Sequence, residues 1–247
     1  MIITTSWDDG HPLDMKLLEL LEKYNLKATF YVPIYNPENP VMNKNQIREI
    51  STYQEIGGHT LNHLYLNSLN YEEAEFQITQ CKIRLEQIID GPISAFCFPG
   101  GKYSKRDIQL IKQAGFTFGR TTRLLACSNP QLGLMDTTLQ IHNHSSITLF
   151  NHCLKNTNLL PIQRNSFFFP FNRNFLKLAE YIFLKNKDPN CVFHLWGHSW
   201  EIEQTNLWKP LEELFKLISS YDNVTCVNNT EAWELICKNS MLNKLNK

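Results

Sequence analysis

The sequence predicts a single α/β domain built on a parallel sheet, and three observations carry that expectation. Strand-like and helix-like segments alternate along nearly the whole chain. No fixed-period repeat, low-complexity stretch or Pro/Ser-rich linker interrupts them. The length of 247 residues suits one barrel, and 43% hydrophobic against 19% charged residues supplies a sizeable core. Such a sheet is either closed as a barrel or open and doubly wound, and both place active sites at the strand C-termini.

Residues 2–6 alternate apolar and small β-prone side chains and stop at Asp8-Asp9-Gly10, a buried strand that delivers two carboxylates to a loop. Pro12, then Leu13, Leu17, Leu18, Leu20 and Leu21, give a helix with an apolar face that closes near Asn25, and a strand follows at Ala28–Val32. A helix over Lys44–Tyr53 leads to Gly57-Gly58, read as a tight turn into His59. A long helix over Tyr71–Ile89 stops at Asp90-Gly91-Pro92. Next come a strand at Ser94–Phe98, a loop at Pro99-Gly100-Gly101, a helix over Ser104–Ala114 and a strand near Phe116–Arg120. Residues 121 to about 190 carry no firm pattern apart from a helix near Asn174–Leu184, and Phe167–Phe171 is an aromatic run read first as packing and second as groove lining. The tail returns to pattern with a strand at Cys191–Trp196, a helix over Leu207–Ser219, a strand at Val224–Val227 and a helix from Thr230 capped by Asn229.

Twenty-four basic residues balance 24 acidic ones, so no broad field favours nucleic acid or an anionic membrane. No stretch reaches the ~20 apolar residues of a membrane span. Seven cysteines without a Cys-x-x-Cys pair argue against a disulfide framework and read as small buried hydrophobes in a reducing compartment. With no basic leader before an apolar run, the expected location is cytoplasmic. The sequence carries no signal of oligomeric state.

The chemistry concentrates in three places. Asp8 and Asp9 are adjacent at a strand end, where successive side chains point in different directions, so one carboxylate can hold a cation while the other faces substrate. His59 and His63 are four apart, a spacing that on a helical turn projects two imidazoles from one face. Two histidines plus one aspartate with an open position suit a catalytic divalent ion, zinc foremost. Finally, Val192–Glu201 runs an apolar strand into His194 and His198; His194 falls inside the strand as a candidate core histidine, and His198 is favoured as general acid. Glu201 reads as a surface carboxylate, with orientation of an imidazole as the alternative.

Thr5-Ser6-Trp7-Asp8-Asp9-Gly10, His59-Thr60-Leu61-Asn62-His63, Phe98-Pro99-Gly100-Gly101 and the late histidine, in that order, resemble the polysaccharide deacetylase superfamily, the nodulation-type chitooligosaccharide deacetylase homology domain. The resemblance implies a deformed (β/α) barrel of about seven strands, with residues 1–240 as the catalytic domain and 241–247 as a C-terminal tail. It implies Asp8 as general base, and Asp9, His59 and His63 as ligands of one divalent ion, zinc with cobalt or nickel as alternatives. Trp7, Pro99 and Trp196 are expected to contact a small-molecule or glycan substrate, and the Gly100 N–H to bind the oxyanion. Two positions depart from the family pattern. Where the third motif has an arginine two residues before its proline and an aromatic after it, this chain has Cys97 and Gly100; Arg120 or Arg123 would then supply the missing charge, unless they form surface salt bridges. The fourth motif, with its aspartate and tryptophan, has no counterpart evident in residues 121–190. The resemblance implies removal of an N-acetyl group from a sugar or glycan precursor; hydrolysis of cyclic imides or ureides on the same fold, and a catalytically silent carbohydrate-binding barrel, are the alternatives.

Overall fold

A computed structural model describes residues 1–126, 128, 130–145, 147–148, 151, 174–185 and 192–245. The aromatic run Phe167–Phe171 and Cys127, Cys153 and Cys191 lie outside them. The strands are β1 (Ile2–Asp8), β2 (Ala28–Val32), β3 (Glu55–Gly58), β4 (Ala95–Cys97), β5 (Phe118–Arg120), β6 (Leu134–Met135), β7 (Leu139–Gln140), β8 (Val192–Gly197) and β9 (Thr225–Cys226). All pair in parallel in one nine-stranded sheet of order β6-β5-β4-β3-β2-β1-β8-β7, with β9 added against β1. The sheet curls into a half-barrel with helices around it, a single domain.

The surrounding helices are α1 (Asp14–Lys23), α2 (Lys44–Tyr53), α3 (Tyr71–Ile89), α4 (Lys105–Gln113), α5 (Phe175–Lys185), α6 (Ser199–Gln204), α7 (Trp208–Ser219) and α8 (Asn229–Leu245). Their starts and stops follow local chemistry. Asn43, Asn70 and Ser104 close reciprocal capping boxes with Gln46, Glu73 and Asp107. Asp90 ends α3 in the left-handed region at φ 53°. The inward faces bury Leu17 and Leu21 of α1, Ala74, Ile78, Cys81 and Leu85 of α3, and Leu211, Leu214, Phe215 and Ile218 of α7 at three- and four-residue spacing. Each large apolar side chain so buried contributes roughly 1.5–3 kcal/mol. Among the described residues no helix is long and apolar enough to cross a membrane.

Strand alternation decides what faces the barrel interior. Along β1, Ile2 packs in an inner cluster with Tyr31, Ala95, Cys97, Phe118 and Met135, whereas Ile3 and Trp7 join the outer cluster between sheet and helices. Asp8, in step with Ile2, therefore enters the barrel at the strand C-terminus. By the same alternation Cys97 of β4 and Arg120 of β5 point inward. They are direct register partners across the two strands.

Two local expectations are corrected. Gly57 and Gly58 are extended residues of β3, not a turn; a Cβ on Gly57 would lie 2.6 Å from the Tyr31 ring, so the residue is small for packing. At the start of α8, Asn228 rather than Asn229 closes the capping box, its Oδ1 accepting from the Glu231 N–H (2.9 Å) while Glu231 Oε2 accepts from the Asn228 N–H (3.0 Å). Asn229 is buried at the foot of the barrel, donating to Thr4 Oγ1 (2.7 Å) and accepting from the Tyr31 hydroxyl (2.8 Å). The short elements β6, β7 and α6 were not expected from the pattern at all.

Candidate active site

The loops leaving β1, β3, β4, β5 and β8 surround a cleft of about 290 Å³ lined by Asp8, Asp9, Glu38, His59, His63, Tyr65, Gly100, Thr122, Leu124, Gln140, Trp196, His198 and Trp200. Backbone strain collects at its rim. Asp9, Thr60 and His63 all have positive φ (76°, 61° and 55°), which for β-branched Thr60 is a genuine outlier. His59 and His63 therefore converge through an irregular left-handed loop, not the helical turn their spacing suggested. Their ring centroids are 5.1 Å apart.

Asp8 is wholly inside the cleft floor, and its Oδ1 accepts a hydrogen bond from Nη2 of Arg120, which is itself fully buried. The guanidinium lies over the rings of Tyr31 (5.1 Å) and Trp196 (4.8 Å). Burial opposes the charge of Arg120, but the adjacent Asp8 carboxylate outweighs it and raises the pKa of the group. The cation expected two residues before Pro99 is thus supplied from the next strand, at the position paired with Cys97. Cys97 is not simply core: its thiol points at Asp8 Oδ2 (3.7 Å), and burial pushes that thiol well up. Arg123 is committed elsewhere, to Asp136 through Nε and Nη2, both at 2.8 Å.

Asp9, His59 and His63 bring one ligand atom each within 4.8 Å of one another. Asp9 Oδ1 lies 3.1 Å from His63 Nε2 and 3.6 Å from His59 Nε2. The Cys97 carbonyl 2.9 Å from His59 Nδ1 can only accept, so Nδ1 carries the proton and Nε2 presents a free lone pair. Burial pushes the Asp9 carboxyl up, but the neighbouring His59 and His63 and the charge of His198 outweigh it and hold Asp9 well below the usual carboxylate range. Asp9 Oδ1 is buried yet makes no hydrogen bond of good geometry. Two imidazoles and an orphaned carboxylate oxygen are a donor set that fits a divalent ion with open positions.

Of the two late histidines, His194 does not reach the cleft. It is buried in β8, with Nδ1 donating to the Asp136 carbonyl (3.2 Å) and Nε2 accepting from the Ser6 hydroxyl (2.8 Å); burial and the nearby Arg120 push its pKa down to about 3, so it stays neutral. His198 lines the cleft between the rings of Trp196 (5.5 Å) and Trp200 (5.2 Å). Its Nδ1 is 3.2 Å from Glu201 Oε2, leaving Nε2 as the free nitrogen. Burial would lower the His198 pKa, but the Glu201 hydrogen bond and the Asp9 and Asp8 carboxylates raise it overall. Glu201 is therefore no surface carboxylate: it is only 17% exposed and also meets His142 Nδ1 (3.2 Å) and Gln140 Nε2 (3.0 Å). Its place one helical turn from His198 was the signal for this role.

Of the expected substrate contacts, Trp196 lines the cleft but Trp7 and Pro99 do not. Trp7 is fully buried on the outer face of β1, edge-on to Phe215 (6.3 Å), because residues 7 and 8 of a strand face opposite sides. Pro99 is buried in the short turn after β4, which presents Gly100 instead; at φ 60°, with the Tyr65 ring 2.8 Å from where its Cβ would be, that position excludes a side chain. Tyr65, Trp200 and Glu38 are cleft residues that sequence reasoning missed.

Residues 2–119 match the polysaccharide deacetylase family model. That match covers the stretch carrying Asp8, Asp9, His59 and His63. Among relatives, it is 32% identical over 118 residues to the peptidoglycan-N-acetylglucosamine deacetylase of Bacillus cereus, a stretch covering 47% of this chain and 54% of that protein. The chain spans about half the length of the curated relatives it matches (54%, 44% and 46%). Among solved structures, a candidate polysaccharide deacetylase from Mycobacterium smegmatis superposes with a TM-score of 0.69 at 15% identity, covering 97% of this chain and 91% of that one. A family 4 acetyl xylan esterase from Clostridium thermocellum, in complex with a cobalt ion, gives a TM-score of 0.61 at 15% identity and covers 95% and 91%. The barrel fold of these structures thus extends over both halves of the chain, including the part beyond residue 119.

Proposed function

We propose that the protein hydrolyses the acetamide of an N-acetylated sugar or glycan precursor, with one divalent ion, zinc first and cobalt or nickel as alternatives, held by Asp9, His59 and His63. What supports this reading most is the convergence in one cleft of three differently tuned groups: a carboxylate paired to a buried guanidinium, a carboxylate with two imidazoles, and an imidazole biased toward its charged form. The match to a protein named for N-acetylglucosamine supports an N-acetylhexosamine unit.

The chemistry a divalent ion supplies there is Lewis acidity toward the amide carbonyl and the attacking water. Asp8 accepts the proton of that water as its oxygen bonds to the acyl carbon, and Arg120 fixes the carboxylate that does so. Gly100, which lines the cleft without a side chain, is assigned the oxyanion contact through its backbone N–H. His198, held at Nδ1 by Glu201, gives its Nε2 proton to the nitrogen as the C–N bond breaks. The products are acetate and a free amine.

The test is acetate release from N-acetylglucosamine oligomers by the zinc-loaded chain. Asp8→Asn is expected to lose about 10²–10⁴ in kcat, the span of a general base. Equal release by both proteins removes Asp8 as base. Zinc or cobalt binding no tighter to wild type than to His59→Ala/His63→Ala removes the metal site. Turnover of a small cyclic imide with no acetate from any sugar transfers the site to imide hydrolysis.

A further inference from the structure

The two oxygens of Asp9 are treated differently. Oδ1 faces the two imidazole Nε2 atoms and accepts no hydrogen bond of good geometry. Oδ2 accepts a hydrogen bond of 2.9 Å from the indole Nε1–H of Trp200. An indole N–H only donates, so Trp200 cannot itself be a ligand, and its proton occupies a lone pair that Oδ2 would otherwise offer. Trp200 is well placed to hold this contact. It sits in the first turn of α6, half-buried, with its ring tilted 33° against the His198 imidazole. Asp9 itself has no strand to fix it, since β1 ends at Asp8 and Asp9 has a φ of 76°. Without the indole, Oδ2 loses this hydrogen bond.

We propose that Trp200 is a positioning residue for the metal ligand: it holds Oδ2 of Asp9 away from the ion, so that Asp9 binds through Oδ1 alone and a coordination position stays open for water and the substrate carbonyl. This rests on the metal site of the function proposed above, though not on the identity of the sugar. One four-residue segment then serves both halves of the site. His198 faces the leaving group, Glu201 holds His198, and Trp200 holds Asp9.

The experiment is calorimetric titration of Co²⁺ into the metal-free full chain, with the visible spectrum of bound Co²⁺ as a report on coordination number. Trp200→Phe keeps the ring beside His198 and deletes the N–H; Trp200→Leu, which also carries no donor, serves the same purpose should phenylalanine disturb folding, which circular dichroism checks. Loss of an outer partner of a metal ligand typically costs about 10–100-fold in affinity, so Co²⁺ binding should weaken at least about tenfold with a changed spectrum. Glu201→Gln, in the same turn but acting on His198, should bind Co²⁺ as wild type does. Unchanged Co²⁺ affinity and spectrum in the Trp200 variants overturn the inference. So does an equal loss in Glu201→Gln, which would mean that any disturbance of the turn suffices. If wild type binds no Co²⁺, the metal reading itself fails and this inference with it; if wild type binds and the Trp200 variants bind equally well, only this inference fails.

Discussion

Replacing Arg120 with methionine tests the feature on which the candidate base depends. Arg120 and Asp8 are both buried, and the guanidinium is enclosed by Tyr31 and Trp196. Methionine fills much of the slot between the rings but leaves the Asp8 carboxylate without its counter-charge. Breaking a buried pair by removing one partner costs about 3–5 kcal/mol. For a chain of this size each kcal/mol lowers Tm by about 2–4 °C, so a fall of about 6–20 °C is expected. The double variant Asp8→Asn/Arg120→Met removes both charges and should recover part of that loss, with a coupling energy in the upper part of the ~0.5–3 kcal/mol range for contacting residues. Urea denaturation of the four proteins, metal-free and at one pH, supplies the cycle. Activity of the single variant should fall by about 10²–10⁴, because an unheld carboxylate is a misplaced base. Lysine should rescue poorly, since an ammonium can neither stack flat between two rings nor present a planar fork. An Arg120→Met protein within about 1 kcal/mol of wild type, or strictly additive effects in the cycle, would refute a buried ion pair.

Three further outcomes follow from the same geometry. Glu201→Gln removes the acceptor that helps to raise His198, so the His198 resonance of metal-free protein should titrate at lower pH by NMR, and the alkaline limb of kcat should move down with it. In wild type the stabilisation from protonated His198 is complete below the histidine's unfolded value of 6.5 and is lost as pH rises through its raised folded value; an unmoved titration would dismiss the Glu201 contact. Neutral, buried His194, with its pKa near 3 against 6.5 unfolded, contributes stability that is present above pH 6.5 and drains away as pH falls toward 3, so His194→Gln should flatten the acid side of the stability-pH curve. Asp14 is fully buried, neither oxygen has a hydrogen bond of good geometry among the described residues, and burial pushes its carboxyl well up, outweighing the nearby Ser199 hydroxyl. Because a raised carboxyl penalises the folded state once the unfolded chain is ionised, Asp14→Asn should raise Tm at pH 8 by a few degrees, with the gain shrinking toward pH 4; a lower Tm at pH 8 would count against it.

Much of the site was legible because its parts are local. Asp8-Asp9 and His59-x-x-x-His63 are contiguous motifs beside strand ends, and helix limits such as Lys44–Tyr53 and Tyr71–Ile89 are written in apolar spacing and caps. What was illegible depends on partners distant in sequence. The strand register that sets Arg120 beside Cys97 links residues 23 positions apart, and no local pattern encodes which cation turns toward Asp8. Trp7 adjoins Asp8 in the chain yet faces the opposite layer, which only the sense of the sheet determines. The two-residue strands β6 and β7 are too short to carry a period, and their pairing comes from the barrel around them.

By itself, then, the sequence determined the α/β alternation, the strand ends and the residue types of the candidate site, because hydrophobic period, capping and motif spacing act over a few residues. The tertiary structure decided which of those residues meet. It chose Arg120 over Arg123 for Asp8, His198 over His194 for the cleft, and Glu201 and Trp200 as the groups that contact His198 and Asp9. The physical reason is that burial and orientation are properties of the curled sheet: a charged side chain acquires its surroundings from what other strands bring to within about 3 Å of it.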